Sequence, residues 1–89
     1  MSVHGEFNRV LEDCVSFLRE IDPPDAARIA KLENAAREGR HDLVSGARSL
    51  LGWLEAEASL PGASELQREE FARRADHAAA ICRAIVGGA

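Results

Sequence analysis

Aromatic residues are scarce in this chain of 89 residues: three Phe, one Trp and no Tyr. That excludes a small all-β sandwich, which draws its core from aromatic and β-branched side chains. Cysteine is scarcer still, and Cys14 and Cys82 are too few for a disulfide scaffold. Proline is limited to three positions while 46% of residues are hydrophobic, which excludes a disordered chain. Lysine is almost absent, one against ten Arg, a bias expected of a GC-rich bacterial genome. Positive charge is not in excess either. The formal net charge is −4, with five basic and eight acidic groups in residues 1–38 and six and seven in residues 39–89. Neither half attracts a polyanion by counterion release, so no nucleic-acid partner is expected. No apolar run approaches the roughly 18 residues of a membrane span. Residues 1–6 lack the basic and apolar regions of a signal peptide. The expectation is a cytoplasmic chain without membrane contact, forming one domain over residues 1–89.

What the chain has is alanine, sixteen in all, and helical periodicity. Phe7, Val10, Leu11, Cys14, Leu18 and Ile21 recur at helical intervals, with Val15 and Phe17 widening the stripe and polar residues opposite. That predicts an amphipathic helix over about 5–21. Asp22-Pro23-Pro24-Asp25 ends it and starts a second helix of about 24–38, since Pro suits a first turn and Asp22 can cap it. The second helix has a thin face of Ala26, Ile29, Leu32 and Ala36, and Gly39 is its stop. Asp42 caps a third helix of about 43–59, whose apolar face is Leu43, Ala47, Leu50, Leu51, Leu54 and Ala58. Leu60-Pro61-Gly62 closes it. Ser64-Glu65-Leu66-Gln67 reads as a capping box for a fourth helix of about 65–86. Its seam is Phe71, Ala75, Ala78, Cys82 and Ile85. Short connections favour antiparallel neighbours, so the expected fold is all-α, a compact up-down bundle of four antiparallel helices.

The third helix carries a second pattern. Ser45, Ser49, Gly52 and Ala56 follow at intervals of four, three and four, nearly opposite Leu43 and Leu54, with Trp53 and Leu60 at the border. Small residues in a row let another helix approach closely. They mark either a helix central in the monomer or a surface for a partner or a second copy, with Trp53 as its anchor. Gly46 and Gly52 each cost about 1 kcal/mol against Ala in a helix interior, which suggests close backbone packing at both.

Chemical candidates are few. His4, His41 and His77 have no metal-ligand spacing among them. Glu69–Arg73 and Glu70–Arg74 are helix pairs worth a few tenths of a kcal/mol each, on a solvated face. Cys14 and Cys82 fall on core faces as free thiols. No catalytic constellation, metal site or cofactor is expected, and the chain reads as non-enzymatic.

The stretch His41-Asp42-Leu43-Val44-Ser45-Gly46-Ala47-Arg48-Ser49-Leu50-Leu51-Gly52 resembles the signature helix of histidine-containing phosphotransfer domains. The family pattern has His, an aliphatic residue at +2, Lys at +3, Gly at +4, and often a second Gly six further on. Gly46 and Gly52 have that separation. Aligned on them, Asp42 stands where the phosphorylated His belongs and Ser45 where the Lys belongs. Aligned on His41, Ser45 takes the Gly position and Val44 the Lys position. The resemblance implies a four-helix bundle carrying phosphate on an exposed His41. Two functions therefore stand side by side: a self-associating protein–protein interaction, adaptor or regulatory module, a homodimer, and a phosphotransfer-like phosphorelay domain, either active or a degenerate relative that keeps only the fold.

Overall fold

The computed structural model describes residues 2–57 and 59–88. Four helices follow one another: α1 (Val3–Glu20), α2 (Ala26–His41), α3 (Leu43–Glu57) and α4 (Glu65–Gly87). Each packs on its chain neighbours, and α4 returns to α1, so the four stand at the corners of an antiparallel up-down bundle. The 23 residues of α4 span about 35 Å at helical rise, close to the longest dimension of 37 Å.

Local chemistry sets the ends. The Ser2 hydroxyl accepts from the Gly5 amide at 3.0 Å, so α1 begins at Val3 and includes His4. Asp25, not Asp22, caps α2: its carboxylate accepts from the Arg28 amide at 3.0 Å and pairs with the Arg28 guanidinium at 2.8 Å. Both prolines therefore lie in the loop before α2 rather than in its first turn. The capping box is present, with Ser64 and Gln67 exchanging two hydrogen bonds of 3.2 Å. Between α3 and α4, the Ala63 amide donates to the Leu60 carbonyl at 3.1 Å, around Pro61 and a Gly62 at φ +87°. Those are the residues a type II turn requires, since only Gly takes that φ cheaply. Helix α3 closes at Glu57, and Ser59 is not helical; Ala58 lies outside the described residues.

The core follows the expected stripes. Phe7, Val10, Leu11, Cys14, Leu18, Leu50, Leu54, Phe71, Ala78 and Cys82 are all buried. Helix α2 departs from expectation. It runs through Gly39 to His41, Ala26 is exposed, and Ala35 is buried beside Leu32. Gly39 is an interior residue, not a stop. A Cβ there would lie 2.5 Å from the Phe7 ring, and a Cβ on Gly46 would lie 2.5 Å from the Gly39 amide nitrogen. The backbones of α2 and α3 meet at these two glycines, which lets a helix with few large apolar residues sit deep in the bundle. Gly52 lacks any such neighbour: nothing lies within 4 Å of a Cβ built on it.

A polar contact lies at each corner of the bundle. Arg19 meets Glu33 at 3.3 Å between α1 and α2, and the Ser49 hydroxyl donates to Glu38 at 2.7 Å between α2 and α3. Glu55 meets Arg83 at 3.9 Å between α3 and α4. Arg74 reaches Asp13 at 3.5 Å and stands 4.9 Å from the centroid of the Phe17 ring, which itself stacks on Phe71 at 5.9 Å. The Glu70–Arg74 pair is thus part of a half-buried α1–α4 joint rather than of a solvated face.

Candidate functional site

The outer face of α3 is built by default: once Leu50, Leu54 and Ala47 turn to the core, the residues opposite must face outward. Ser49, Gly52 and Ala56 are exposed there, so this strip is not buried between helices of the monomer. The residues border α2, as the Ser49–Glu38 hydrogen bond shows. Ser45 is half-buried, and its hydroxyl donates to Asp42 at 3.1 Å as part of the α2–α3 turn. Trp53 is half-buried, with one side against the core and the rest open. Leu60 is the exception among the surface residues expected from sequence. It is 3% exposed, because the turn after it folds its side chain into the core. The face is therefore Ser45, Ser49, Gly52, Trp53 and Ala56, without Leu60.

Charge frames this face. Arg48 and Glu55 lie on its α4 side, and Lys31 and Glu38 lie on the exposed surface of α2 beside it. The two α2 residues escape a sequence reading that treats each helix alone. Their common signal is a seven-residue interval between opposite charges, repeated on adjacent helices.

The other candidates lie apart. His41 is exposed as the last residue of α2, and Asp42 alone joins it to α3, its carboxylate accepting from the Val44 and Ser45 amides at 3.1 and 3.4 Å. The stretch His41–Gly52 is thus divided between two helices. His4 and His77 are exposed on α1 and α4. Among the described residues no three His, Cys, Asp or Glu side chains are grouped as metal ligands. Cys14 and Cys82 are buried and free. Burial pushes the Cys14 thiol up to about 12, with the Asp13 carboxylate adding to it, and burial pushes Cys82 up to about 11. Such thiols stay protonated at neutral pH and are poor nucleophiles. A largely apolar cleft of about 540 Å³ opens at the end of the bundle where α1 and α3 begin, lined by Val3, Leu43, Val44, Ile81 and Ala84, with His4 and Glu6 at its wall. Among the described residues no helix is long and apolar enough to cross a membrane. Comparison with protein-family models, curated proteins and solved structures finds no match.

Proposed function

We propose that this chain is a cytoplasmic, non-enzymatic protein–protein interaction module, an adaptor or small regulator, that self-associates through the outer face of α3. The observation that carries this reading is the exposed, low-relief strip of Ser49, Gly52 and Ala56 beside a half-buried Trp53. A solvated helix face ordinarily bears long charged side chains. This one is stripped of bulk and borders a Trp, a residue type enriched where proteins bind one another. Ser49→Leu is the test. It gives up one exposed hydrogen bond to Glu38, so it should cost no more than about 1 kcal/mol of stability, while weakening association measured as solution mass against concentration. A wild-type chain monomeric at every concentration, or a Ser49→Leu variant of unchanged association, would remove the reading.

Phosphorelay through His41 is the second reading, supported by the exposure of that imidazole. A small phosphodonor should then place one acid-labile phosphate on the protein, lost in His41→Ala. A phosphoryl group needs cationic or amide donors to hold its charge, and the division of the motif between α2 and α3 favours the first reading.

A further inference from the structure

Four exposed charges beside the α3 face stand in an order that a two-fold axis exchanges. On α3, Arg48 and Glu55 are seven residues apart; on α2, Lys31 and Glu38 are also seven apart. Seven residues are almost two helical turns, about 10.5 Å, so each pair shares a face of its helix. The midpoint of the first pair falls between Leu51 and Gly52, and that of the second between Asn34 and Ala35. The packing of α2 on α3 makes these two midpoints level. Gly39 lies against Gly46, Ser49 bonds Glu38, and the Arg28 side chain donates to the Glu57 carbonyl at 3.5 Å. Counted from the first and last of those contacts, residues 34–35 of α2 stand opposite residues 50–51 of α3, and counted from Ser49–Glu38 opposite 52–53, so they are level with 51–52 to within one residue. One axis through the outer face therefore serves both pairs.

We propose, resting on the self-association reading above, that the partner is a second copy of this chain docked antiparallel across that axis. Arg48 then faces Glu55 of the second copy, and Lys31 faces Glu38 of the second copy, each contact occurring twice. Among the described residues neither Arg48 nor Lys31 makes an ion pair within its own chain, while Glu55 meets Arg83 at 3.9 Å and Glu38 accepts from Ser49, so each carboxylate would share its charge with the cation of the second copy. The parallel two-fold arrangement sets Arg48 against Arg48 and Glu55 against Glu55, so repulsion selects the antiparallel one. Gly52 stands next to the axis, where two helices come nearest, and it is the position with open space above it. Trp53 and Ser49 lie on the α2 side, where the second copy covers the open part of the indole.

The test is charge reversal read by sedimentation equilibrium. Arg48→Glu and Glu55→Arg each place like charges across the axis twice, and each should weaken the dimer roughly tenfold or more. Combined in one chain they should restore the affinity to near wild type. Lys31→Glu and Glu38→Lys should behave in the same way. All four positions are exposed, so melting curves should confirm that the variants fold. A second measurement reads the register directly. In the antiparallel dimer the two copies of residue 52 are about 1.5 Å apart along the helix axes and the two copies of residue 45 about 20 Å. Gly52→Cys should therefore cross-link to itself on oxidation and Ser45→Cys should not, the native thiols being buried. A wild-type dimer whose affinity ignores the reversals, or that cross-links through Ser45→Cys, overturns this docking and leaves self-association standing. A wild-type monomer overturns both.

Discussion

Replacing Gly46 with alanine inserts one methyl group where two helix backbones meet. The new carbon would lie 2.5 Å from the Gly39 amide nitrogen and 3.0 Å from the Ala35 carbonyl oxygen. Neither atom belongs to a side chain that can rotate away, so α2 must move bodily. Gly52→Ala is the internal control. It sits in the same helix, also away from the ends, with nothing within 4 Å of the added carbon. Both substitutions gain the same helix propensity, about 0.8–1 kcal/mol. The difference between them is therefore the steric cost alone. Overpacking of a tight interior typically costs about 1–3 kcal/mol, and a backbone-to-backbone contact belongs at the upper end. Gly46→Ala should then be destabilised by about 2 kcal/mol net, and Gly52→Ala stabilised by up to about 1 kcal/mol. For a domain of this size each kcal/mol moves the melting temperature by roughly 4–8 °C. Gly46→Ala should melt about 8–16 °C below wild type and Gly52→Ala a few degrees above it. Far-UV circular dichroism melts in dilute solution, where association does not contribute, make the measurement. If the two variants melted together, the close approach of α2 to α3 would be wrong.

The buried thiols should label slowly in the native protein and fast in denaturant. Rapid native labelling of both would refute their placement in the core. Their pH dependence has a definite sign. Unfolded, each thiol ionises near 9.0; folded, Cys82 waits until about 11 and Cys14 until about 12. The folded state therefore holds its protons longer, and the stability this confers is present in full below pH 9 and lost as pH rises toward 11–12. Urea unfolding of wild type should weaken over that range, and a Cys14→Ala/Cys82→Ala variant should weaken less. Arg74→Ala should cost about 1 kcal/mol, from the lost stack on Phe17 and the lost pair with Asp13, discounted for partial exposure. Arg73→Ala, fully on the surface of the same helix, should change stability by under about 0.5 kcal/mol. Equal melting temperatures for the two would deny the Arg74–Phe17 joint its role.

What could be read from the sequence is what one helix knows about itself. The stripes of α1 and α4 are strong one-body signals, and nearly all their residues are buried as the spacing requires. The capping box is likewise local and legible. Gly39 is the instructive failure. As a residue type after a polar stretch it reads as a stop; against the Phe7 ring and the α3 backbone it is an interior contact, and α2 continues past it. Gly46 and Gly52 look alike in the sequence, yet one is pressed against Gly39 and the other faces open space. Leu60 fails for a related reason, because its turn bends it inward off the helical wheel. The candidate face was visible as a row of small residues. Its charged frame was not, because Lys31 and Glu38 join Arg48 and Glu55 only when α2 is set beside α3 in register.

That register ties the interior to the surface. The level of residues 34–35 with residues 51–52 depends on the Gly39–Gly46 approach, which holds α2 against α3 at one end as Arg28 and Glu57 do at the other. A methyl group on Gly46 should push the C-terminal half of α2 outward and carry Glu38 with it, while Lys31, farther from the contact, moves less. The outer face of α3 keeps every residue. If the two charge pairs share one axis, Gly46→Ala should weaken self-association even at a temperature where the variant is fully folded. Lys31→Glu should then matter less in the Gly46→Ala background than in wild type, because its counterpart on the second copy has shifted. Arg48→Glu should keep its full effect, since α3 pairs with α3. A double-mutant cycle on the dimer affinity separates these outcomes. Lys31→Glu and Gly46→Ala contributing independently would mean that α2 takes no part in the contact and that α3 associates alone.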